Sequence, residues 1–227
     1  LVVFFLAPKH GMLAARRRFL EGGYYAPLRE RLIALARAGR HAYLVEVGCG
    51  EGYYLGGLAA ALNPDWAGGT DIAKAGISLA AKQYPRVHWA VADTNQLLPL
   101  ADASLDVLLD VFAPRNAREF ARVLRPGGRL LVVIPTDRHL AEFRAWQELL
   151  PIQAGKRQAV EATLAGQLEL MAAETLRLPL LLSAATAQDL LLMTPNAWFM
   201  TEADMRTGWP AGELAVGAEF EILTFVR

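Results

Sequence analysis

Three glycines at alternate positions, Gly48, Gly50 and Gly52, follow a short β-branched run in this chain. Glycine tolerates positive φ and has no Cβ, so such a turn lets the backbone approach a ligand closely and point N–H groups at it. Asp71 ends a second apolar run further along the chain. In nucleotide-binding α/β units an acid at that place accepts hydrogen bonds from ribose hydroxyls. The pattern therefore predicts a site for an adenosine-containing cofactor.

Two further carboxylates discriminate between cofactors. Glu46 precedes the first glycine by two residues, and Glu51 lies inside the loop. Both would repel the pyrophosphate of a dinucleotide, whose loop also prefers the spacing G-x-G-x-x-G to the G-x-G-x-G found here. Both would attract the sulfonium and ammonium groups of S-adenosylmethionine. We therefore expect a methyltransferase rather than a dehydrogenase, with a simple strand-to-helix turn as the alternative.

An alternation of strands and helices must position these residues. Apolar runs separated by segments of helical length form right-handed βαβ units and a parallel sheet. We predict strands over residues 43–47, 66–70, 87–91, 105–112 and 129–134, and helices over residues 12–20, 25–38, 53–62, 72–84 and 115–124.

The pattern is weaker after Trp146. Residues 161–176 have the composition and apolar spacing of a helix. Residues 176–182, interrupted by Pro179, predict a sixth strand at or near the sheet edge. Residues 219–226 alternate and predict a seventh strand, antiparallel and inserted beside the sixth.

Chemically capable residues end several of the predicted strands, where an open α/β sheet binds its ligands. Asp93 follows the third strand and is placed to accept from an adenine amine, although it could instead cap the turn at residues 94–95. Asp110 lies near the end of the fourth strand. The alternative to a catalytic role, which the sequence does not favour, is a side chain that faces outward on the other side of the strand.

Composition excludes some functions. The chain has 227 residues, 54% of them hydrophobic, which suffices for one sizeable core. Its formal net charge is zero, so a whole-molecule field that attracts nucleic acid is absent. Cys49 is the only cysteine, so we expect no disulfide, no cysteine-based metal site and a cytoplasmic location. The apolar residues 1–6 are too short for a membrane span.

Several motifs resemble those of a known family. The glycine loop, Phe112–Pro114 and Leu124–Gly128 resemble S-adenosylmethionine-dependent Rossmann-like methyltransferases in general. Four flanking segments narrow the resemblance to bacterial 23S rRNA (guanine-N1)-methyltransferases: Ala15–Leu20, Gly23–Leu28, Asp137–Leu140, and Leu192–Pro195 with Trp198.

The resemblance implies a fold and a domain organisation. We expect an α/β, Rossmann-like domain with a mostly parallel seven-stranded sheet, helices on both faces and an insertion after strand five. An N-terminal helical segment, residues 1–40, would pack on the cofactor site. The methyltransferase domain would occupy residues 41–227, with the insertion at about 146–200.

The resemblance also implies roles for individual residues. Tyr25 would lie over S-adenosylmethionine, and His139 would close the pocket near its amino-acid end. Together with the residues found above, the predicted cofactor-binding set is Tyr25, Glu46, Gly48, Gly50, Glu51, Gly52, Asp71, Ile72, Asp93 and His139.

The implied acceptor is N1 of a guanine in a hairpin of 23S rRNA. An unpaired or flipped base would stack on an aromatic side chain, for which Phe112, Trp146 and Trp198 are candidates. The proton on N1 must leave, and Asp110 and Asp137 are the nearest carboxylates, but the sequence does not select a catalytic residue. Basic residues that could contact phosphates or simply be solvated are Arg16–Arg18, Arg29, Arg31, Arg115, Arg118, Lys156 and Arg157.

Departures from the family leave alternatives open. The family carries an N-terminal zinc module with four cysteines, which this chain lacks, so we expect either a fragment or a relative that lost the module. The neutral charge also allows a small-molecule methyltransferase with the same cofactor domain. A non-catalytic binding module is a third hypothesis, which the intact glycine loop argues against. The sequence does not predict the oligomeric state, and a dimer is one of the alternatives.

Overall fold

A computed structural model describes residues 11–37, 42–146, 155–198, 200 and 208–227. Contacts between Cα atoms group the chain into two compact units. The first comprises Leu1–Pro27, Pro135–Ala154 and Leu176–Phe220, and the second comprises Leu28–Ile134, Gly155–Thr175 and Glu221–Arg227. The domain boundaries expected from the sequence stay a prediction.

Seven strands form one sheet in the order β3-β2-β1-β4-β5-β7-β6. The strands are β1 Tyr43–Val47, β2 Trp66–Asp71, β3 His88–Val91, β4 Leu105–Val111, β5 Leu124–Pro135, β6 Glu169–Leu182 and β7 Leu214–Val226. The helices are α1 Met12–Glu21, α2 Ala26–Ala36, α3 Tyr53–Leu62, α4 Lys74–Gln83, α5 Ala117–Val123, α6 Phe143–Trp146, α7 Lys156–Leu164 and α8 Ala184–Leu192, with a 3-10 turn at Pro195–Trp198.

Strands β1 to β5 pair with one another in parallel. β7 runs antiparallel to β5, since the Gly127 N–H near the start of β5 donates to Arg227 while the Thr136 N–H after its end donates to Glu219. The chain leaves β1 toward β2 and β3 on one side, and reaches β4 and β5 on the other. Ligands of open α/β sheets bind at such a switch point, at the carboxyl ends of the strands.

The core of the second unit lies along the central strands. Every residue of β4 is buried, as expected for a parallel strand covered on both faces. Side chains of β1, β4, β5, α5, α7 and β7 form one apolar cluster, including Val45, Leu108, Phe120 and Leu130. This rigid centre fixes where the carboxyl ends of β1 and β4 lie.

The sequence prediction was wrong at two places. Residues 161–176 are not one helix, because α7 ends at Leu164 and β6 begins at Glu169. Gly166 adopts a left-handed φ of 76° between them, which terminates the helix. β5 begins at Leu124 rather than at Arg129, and a register shift in its pairing with Leu105–Val107 accommodates the intervening glycines.

The other elements up to α5 were predicted to within two residues, and β1 and α3 to the residue, whereas β6 and β7 begin seven and five residues earlier than predicted. The antiparallel seventh strand is confirmed, and Pro179 lies on β6 at the sheet edge, where a missing N–H is tolerated. Residue 38, the predicted end of the second helix, and the apolar residues 1–6 lie outside the described residues.

The first unit contains α1 and α8, which pack on each other. Arg18 of α1 donates two hydrogen bonds to Asp189 of α8, at 2.9 and 2.5 Å. Among the described residues, no helix is both long and apolar enough to cross a membrane. Within the same residues, no group of three or more His, Cys, Asp or Glu is arranged to hold a metal ion.

Candidate active site

The glycine loop joins β1 to α3 with all three glycines in the left-handed region. Their φ angles are 64° at Gly48, 56° at Gly50 and 81° at Gly52. A Cβ on Gly48 would come within 2.4 Å of the Ala113 Cβ, and one on Gly52 within 2.4 Å of the Trp89 ring. The loop therefore needs glycine both for its backbone angles and for its packing.

Asp71 supports this loop from the end of β2. Its Oδ2 accepts a hydrogen bond from the Gly50 N–H at 2.8 Å, and its Oδ1 accepts from the Ala73 N–H at 2.7 Å. One carboxylate thus ties the glycine loop to the start of α4. Sequence reasoning placed Asp71 at the correct edge but did not foresee these backbone contacts.

Both acids that distinguished between cofactors are buried beside the loop. Glu46 is 1% exposed, and its Oε2 accepts from the Leu55 N–H in the first turn of α3. Negative charge is favourable at a helix N-terminus. Glu51 is 8% exposed within the loop itself. Negative charge therefore gathers where the glycine backbone is most accessible to a ligand.

An apolar surface lies beside these acids at the carboxyl ends of β2 and β3. Ile72 is 50% exposed and Val91 is 53% exposed, and Val91 is the register partner of Asp71. Asp93 follows on the same edge, and its Oδ1 accepts from the Asn95 N–H at 2.9 Å, so it also caps the turn. Val91 was missed from the sequence, although an apolar residue directly before a strand-end acid was the available signal.

The residues fit S-adenosylmethionine. Its sulfonium and ammonium groups suit buried carboxylates, and its adenosine suits an exposed apolar edge flanked by acids. Thr70, just before Asp71, is 4% exposed, and its hydroxyl has no hydrogen-bond partner among the described residues. A buried polar group of this kind is normally satisfied, so a ligand beside the loop would find a hydrogen-bonding group there.

The end of β4 adjoins the glycine loop and carries a buried acid. Asp110 is 0% exposed and accepts from the Ala113 N–H at 3.0 Å. Its Oδ2 lies 3.1 Å from Arg115 Nε, but the two are not aligned for a hydrogen bond, so the contact is electrostatic. Burial raises the pKa of Asp110 to about 7, against the opposing effects of Arg115 and the Ala113 N–H. Asp110 therefore does not face outward, which was the alternative that the sequence left open.

The intervening Phe112 has a φ of 61°, rare for a bulky residue. Its N–H donates to the Val133 carbonyl at 3.2 Å, which holds the turn in place. Backbone strain of this kind persists only where the surrounding structure enforces it. Here the enforcing contacts lie on β5 and at the Asp110 carboxylate.

Tyr25 and His139 come together in the first unit. The rings of both pack on Phe220, with centroids 5.1 and 4.7 Å away. Tyr25 is buried, and burial raises the pKa of its hydroxyl above the ordinary value. His139 Nδ1 lies 3.2 Å from both the amide nitrogen and the carbonyl oxygen of Glu219, so the ring is tied to β7 whichever nitrogen carries the proton. Their predicted roles toward the cofactor stay predictions.

Many of the basic residues noted in the sequence are engaged within the chain. Arg29 lies over the Tyr53 ring, 4.5 Å from its centroid. Others pair with carboxylates: Arg17 with Glu21, Arg18 with Asp189, Arg31 with Glu174, and Arg157 with Glu161. Of the candidate stacking residues, Trp146 packs on Phe143, and the side chain of Trp198 lies outside what the structure describes.

A groove of about 510 Å³ opens at the opposite edge of the sheet, near the starts of β2 and β3. Trp66, Tyr84 and His88 line it. None of the predicted site residues does, so the groove is separate from the strand-end acids.

The comparisons with known proteins agree with this geometry. Residues 44–128 match a family described as a methyltransferase domain. The structure resembles the YcgJ protein from Bacillus subtilis with a TM-score of 0.61 at 16% identity, covering 88% of this chain and 97% of that one. A Rossmann-like sheet with this loop and these acids defines an S-adenosylmethionine-dependent methyltransferase.

Sequence relatives narrow the class. The chain is 38% identical over 191 residues to the 23S rRNA (guanine(748)-N(1))-methyltransferase of Streptomyces fradiae, covering 82% of this chain and 68% of the relative. It is 33% identical over 143 residues to a malonyl-[acyl-carrier protein] O-methyltransferase of Hahella chejuensis, covering 59% and 51%. The chain belongs to the family of 23S rRNA (guanine-N1)-methyltransferases.

Proposed function

We propose that this protein transfers a methyl group from S-adenosylmethionine to N1 of a guanine in 23S rRNA. The observation that carries the proposal is the match to the Streptomyces fradiae enzyme over 82% of the chain, which extends well beyond the cofactor-domain match at residues 44–128. An acceptor in the ribosome also implies a cytoplasmic location.

The chain's own residues bind and orient the two reactants. S-adenosylmethionine supplies an activated methyl group on its sulfonium. Gly48, Gly50 and Gly52 let the backbone approach the cofactor, while Glu46 and Glu51 attract its positive charges. The remaining predicted ligands are Asp71 for the ribose, and Ile72 and Asp93 for the adenine. Tyr25 is predicted to lie over the cofactor, and His139 to close the pocket near its amino-acid end. Holding reactants in line supplies much of the rate in such transfers.

The proton on guanine N1 has to leave before or during transfer. Asp110 has no exposed surface, so it does not reach the acceptor in this conformation. Asp137, in the turn after β5, is exposed. Asp137 or solvent is therefore the proposed proton acceptor. A shift of the pH–rate profile of methyl transfer to higher pH in Asp137→Asn would assign the role to Asp137, and an unchanged profile would assign it to solvent.

The first test is calorimetric titration with S-adenosylmethionine. We expect micromolar binding that Asp71→Ala weakens at least about tenfold, since a hydrogen bond to a charged group is worth about 1.5–3 kcal/mol. Asp71→Asn keeps one acceptor oxygen for the loop, so its affinity for S-adenosylmethionine should lie between those of the unmodified protein and Asp71→Ala. Absence of binding by the unmodified protein would overturn the assignment of the cofactor.

The second test is methyl transfer to naked 23S rRNA. Methylation of N1 blocks Watson–Crick pairing, so reverse transcription should stop at one guanine. Incorporation elsewhere on the RNA would overturn the predicted position.

A small-molecule acceptor is the second candidate, favoured by the neutral net charge of the chain. Methyl transfer to a small-molecule panel with none to rRNA would establish it instead.

A further inference from the structure

Two cations lie beside the glycine loop at the end of β4, where one carboxylate faces them. Arg18, Arg31 and Arg122, by comparison, each pair with a carboxylate of their own. Arg115 faces one carboxylate, Asp110, and Lys156 at the start of α7 has no carboxylate partner within the described part of the chain.

Asp110 compensates at most one of these two cations. It is enclosed completely, and burial raises its pKa to about 7, so near neutral pH its negative charge is only partly present. Arg115 keeps 22% of its side chain exposed while its Nε faces Asp110. The guanidinium is thus anchored on its inner side and accessible on its outer side.

Lys156 and Arg115 lie close enough to influence each other. Burial lowers the pKa of Lys156, and repulsion from the Arg115 guanidinium lowers it further. Two neighbouring cations in a partly buried place raise the electrostatic energy of the folded chain. A bound anion would attract both cations and so offset the repulsion between them.

Arg115 and Lys156 lie where an RNA acceptor would approach the predicted cofactor site. Ala113, two residues before Arg115, packs directly against Gly48 of the glycine loop. The cationic pair therefore lies at the same carboxyl edge as the predicted cofactor site, on the β4 side of the switch point.

We propose that Arg115 and Lys156 bind a backbone phosphate of the RNA acceptor next to the nucleotide to be methylated. This inference rests on the proposed function. A phosphodiester carries a permanent negative charge, and arginine and lysine are its usual protein partners. Phosphate contacts position an RNA without reading its sequence. The site therefore fixes where the RNA backbone lies relative to the cofactor, and it does not select the base.

The test compares two double variants that remove equal charge. Arg115→Gln/Lys156→Gln alters the proposed site, whereas Lys82→Gln/Arg86→Gln removes an exposed lysine and arginine near the start of β3, at the opposite edge. Fluorescence anisotropy would measure binding to a 23S rRNA hairpin and to an unrelated hairpin of equal length, over a series of KCl concentrations.

We expect the first variant to bind both hairpins at least about tenfold more weakly, with a slope of log affinity against log salt shallower by about one. The second should bind like the unmodified protein. Titration with S-adenosylhomocysteine should give the same affinity in all three proteins, which shows that the cofactor domain stays folded.

Three outcomes would overturn the inference. Equal RNA affinity of the first variant and the unmodified protein would exclude the site. A loss confined to the 23S hairpin would indicate base recognition instead of a phosphate contact. Equal losses of RNA affinity in both double variants would indicate that RNA responds to the total positive charge and not to a site at Arg115 and Lys156. If the unmodified protein methylates rRNA in any of these cases, the proposed function stands; if it neither binds nor methylates RNA, both fail.

Discussion

Gly48 is held in place for two separate physical reasons. Its φ of 64° lies in the left-handed region, and its Cα faces the Ala113 side chain at a distance that leaves no room for a Cβ. Gly127 offers a useful contrast, since its φ is 75° but nothing lies within 4 Å of its hypothetical Cβ. A comparison of substitutions at the two glycines therefore distinguishes the cost of backbone strain from the cost of steric overlap.

Gly48→Ala should lower the free energy of unfolding by about 2–5 kcal/mol, the sum of left-handed strain and overpacking. Gly127→Ala should lower it by about 1–2 kcal/mol, from strain alone. Only Gly48→Ala should abolish binding of S-adenosylhomocysteine. Urea unfolding and calorimetric titration measure both effects, and equal losses of stability in the two variants would contradict the packing argument.

Asp110 makes stability depend on pH in a defined direction. Its pKa is about 7 in the folded protein against an ordinary value of 3.8, so between these values the folded state holds a proton that the unfolded state has lost. The free energy of unfolding therefore falls as pH rises through this window. The facing groups, Arg115 and the Ala113 N–H, reduce the effect but do not cancel it.

Asp110→Asn cannot ionise, so it should gain stability relative to the unmodified protein between pH 5 and pH 8, by more than about 1 kcal/mol. Urea unfolding at pH 5, 6.5 and 8 measures the difference. A constant difference across this range would show that Asp110 ionises normally in the folded protein.

Elements differ in how well local sequence predicts them. β1 and α3 were predicted to the residue because the glycine loop separates them and because Asn63 and Pro64 end the helix. Residues 161–176 were predicted as helix because Glu, Gln, Ala and Leu favour helices, whereas pairing at the sheet edge overrides that propensity in β6.

Side-chain partners in the site were less predictable still. The strand-end acids could be placed on one edge from topology alone. Their contacts, such as Asp71 with the Gly50 N–H or Arg115 with Asp110, depend on how neighbouring loops fold back. Sequence spacing carries no information on those distances.

Arg122 ties α5 to the loop that precedes β4. It contacts Glu119 and Asp102 and donates to the carbonyls of Leu98 and Leu100. These bonds raise the pKa of Arg122 above its ordinary value, chiefly through Glu119. The Arg122 side chain therefore joins α5 to the loop before β4 and is not an isolated surface charge.

Arg122→Gln should lower the free energy of unfolding by about 2–3 kcal/mol, because several charge-assisted hydrogen bonds are lost together. Arg17→Gln is the matched control, since Arg17 pairs with Glu21 on the exposed face of α1. That variant should change stability by less than about 0.5 kcal/mol. Similar losses in the two variants would indicate that Arg122 is no more than a surface ion pair.

At the scale of the whole molecule, the balance of charge is the informative property. The chain has 23 basic and 23 acidic residues, and many of its arginines are engaged internally. Long-range attraction of RNA by these residues should accordingly be weak, and binding should depend on a few local contacts.

The affinity of the chain for a 23S rRNA hairpin should therefore fall only shallowly with salt, with a log–log slope of about −1 to −3. Binding measured between 50 and 300 mM KCl tests this. A slope of about −6 or steeper would reveal an extended basic surface that the described residues do not explain.

The packing of Trp89 has an optical consequence. Its ring lies against Gly52 and Gly69, and its indole N–H donates to the Tyr84 carbonyl at 3.1 Å. Indole emission shifts in wavelength and intensity with the polarity and mobility of its surroundings. A ligand settling on the glycine loop would change both for this ring, so the protein carries its own fluorescent reporter. Cofactor occupancy could then be followed in real time, without a label and without knowing the acceptor.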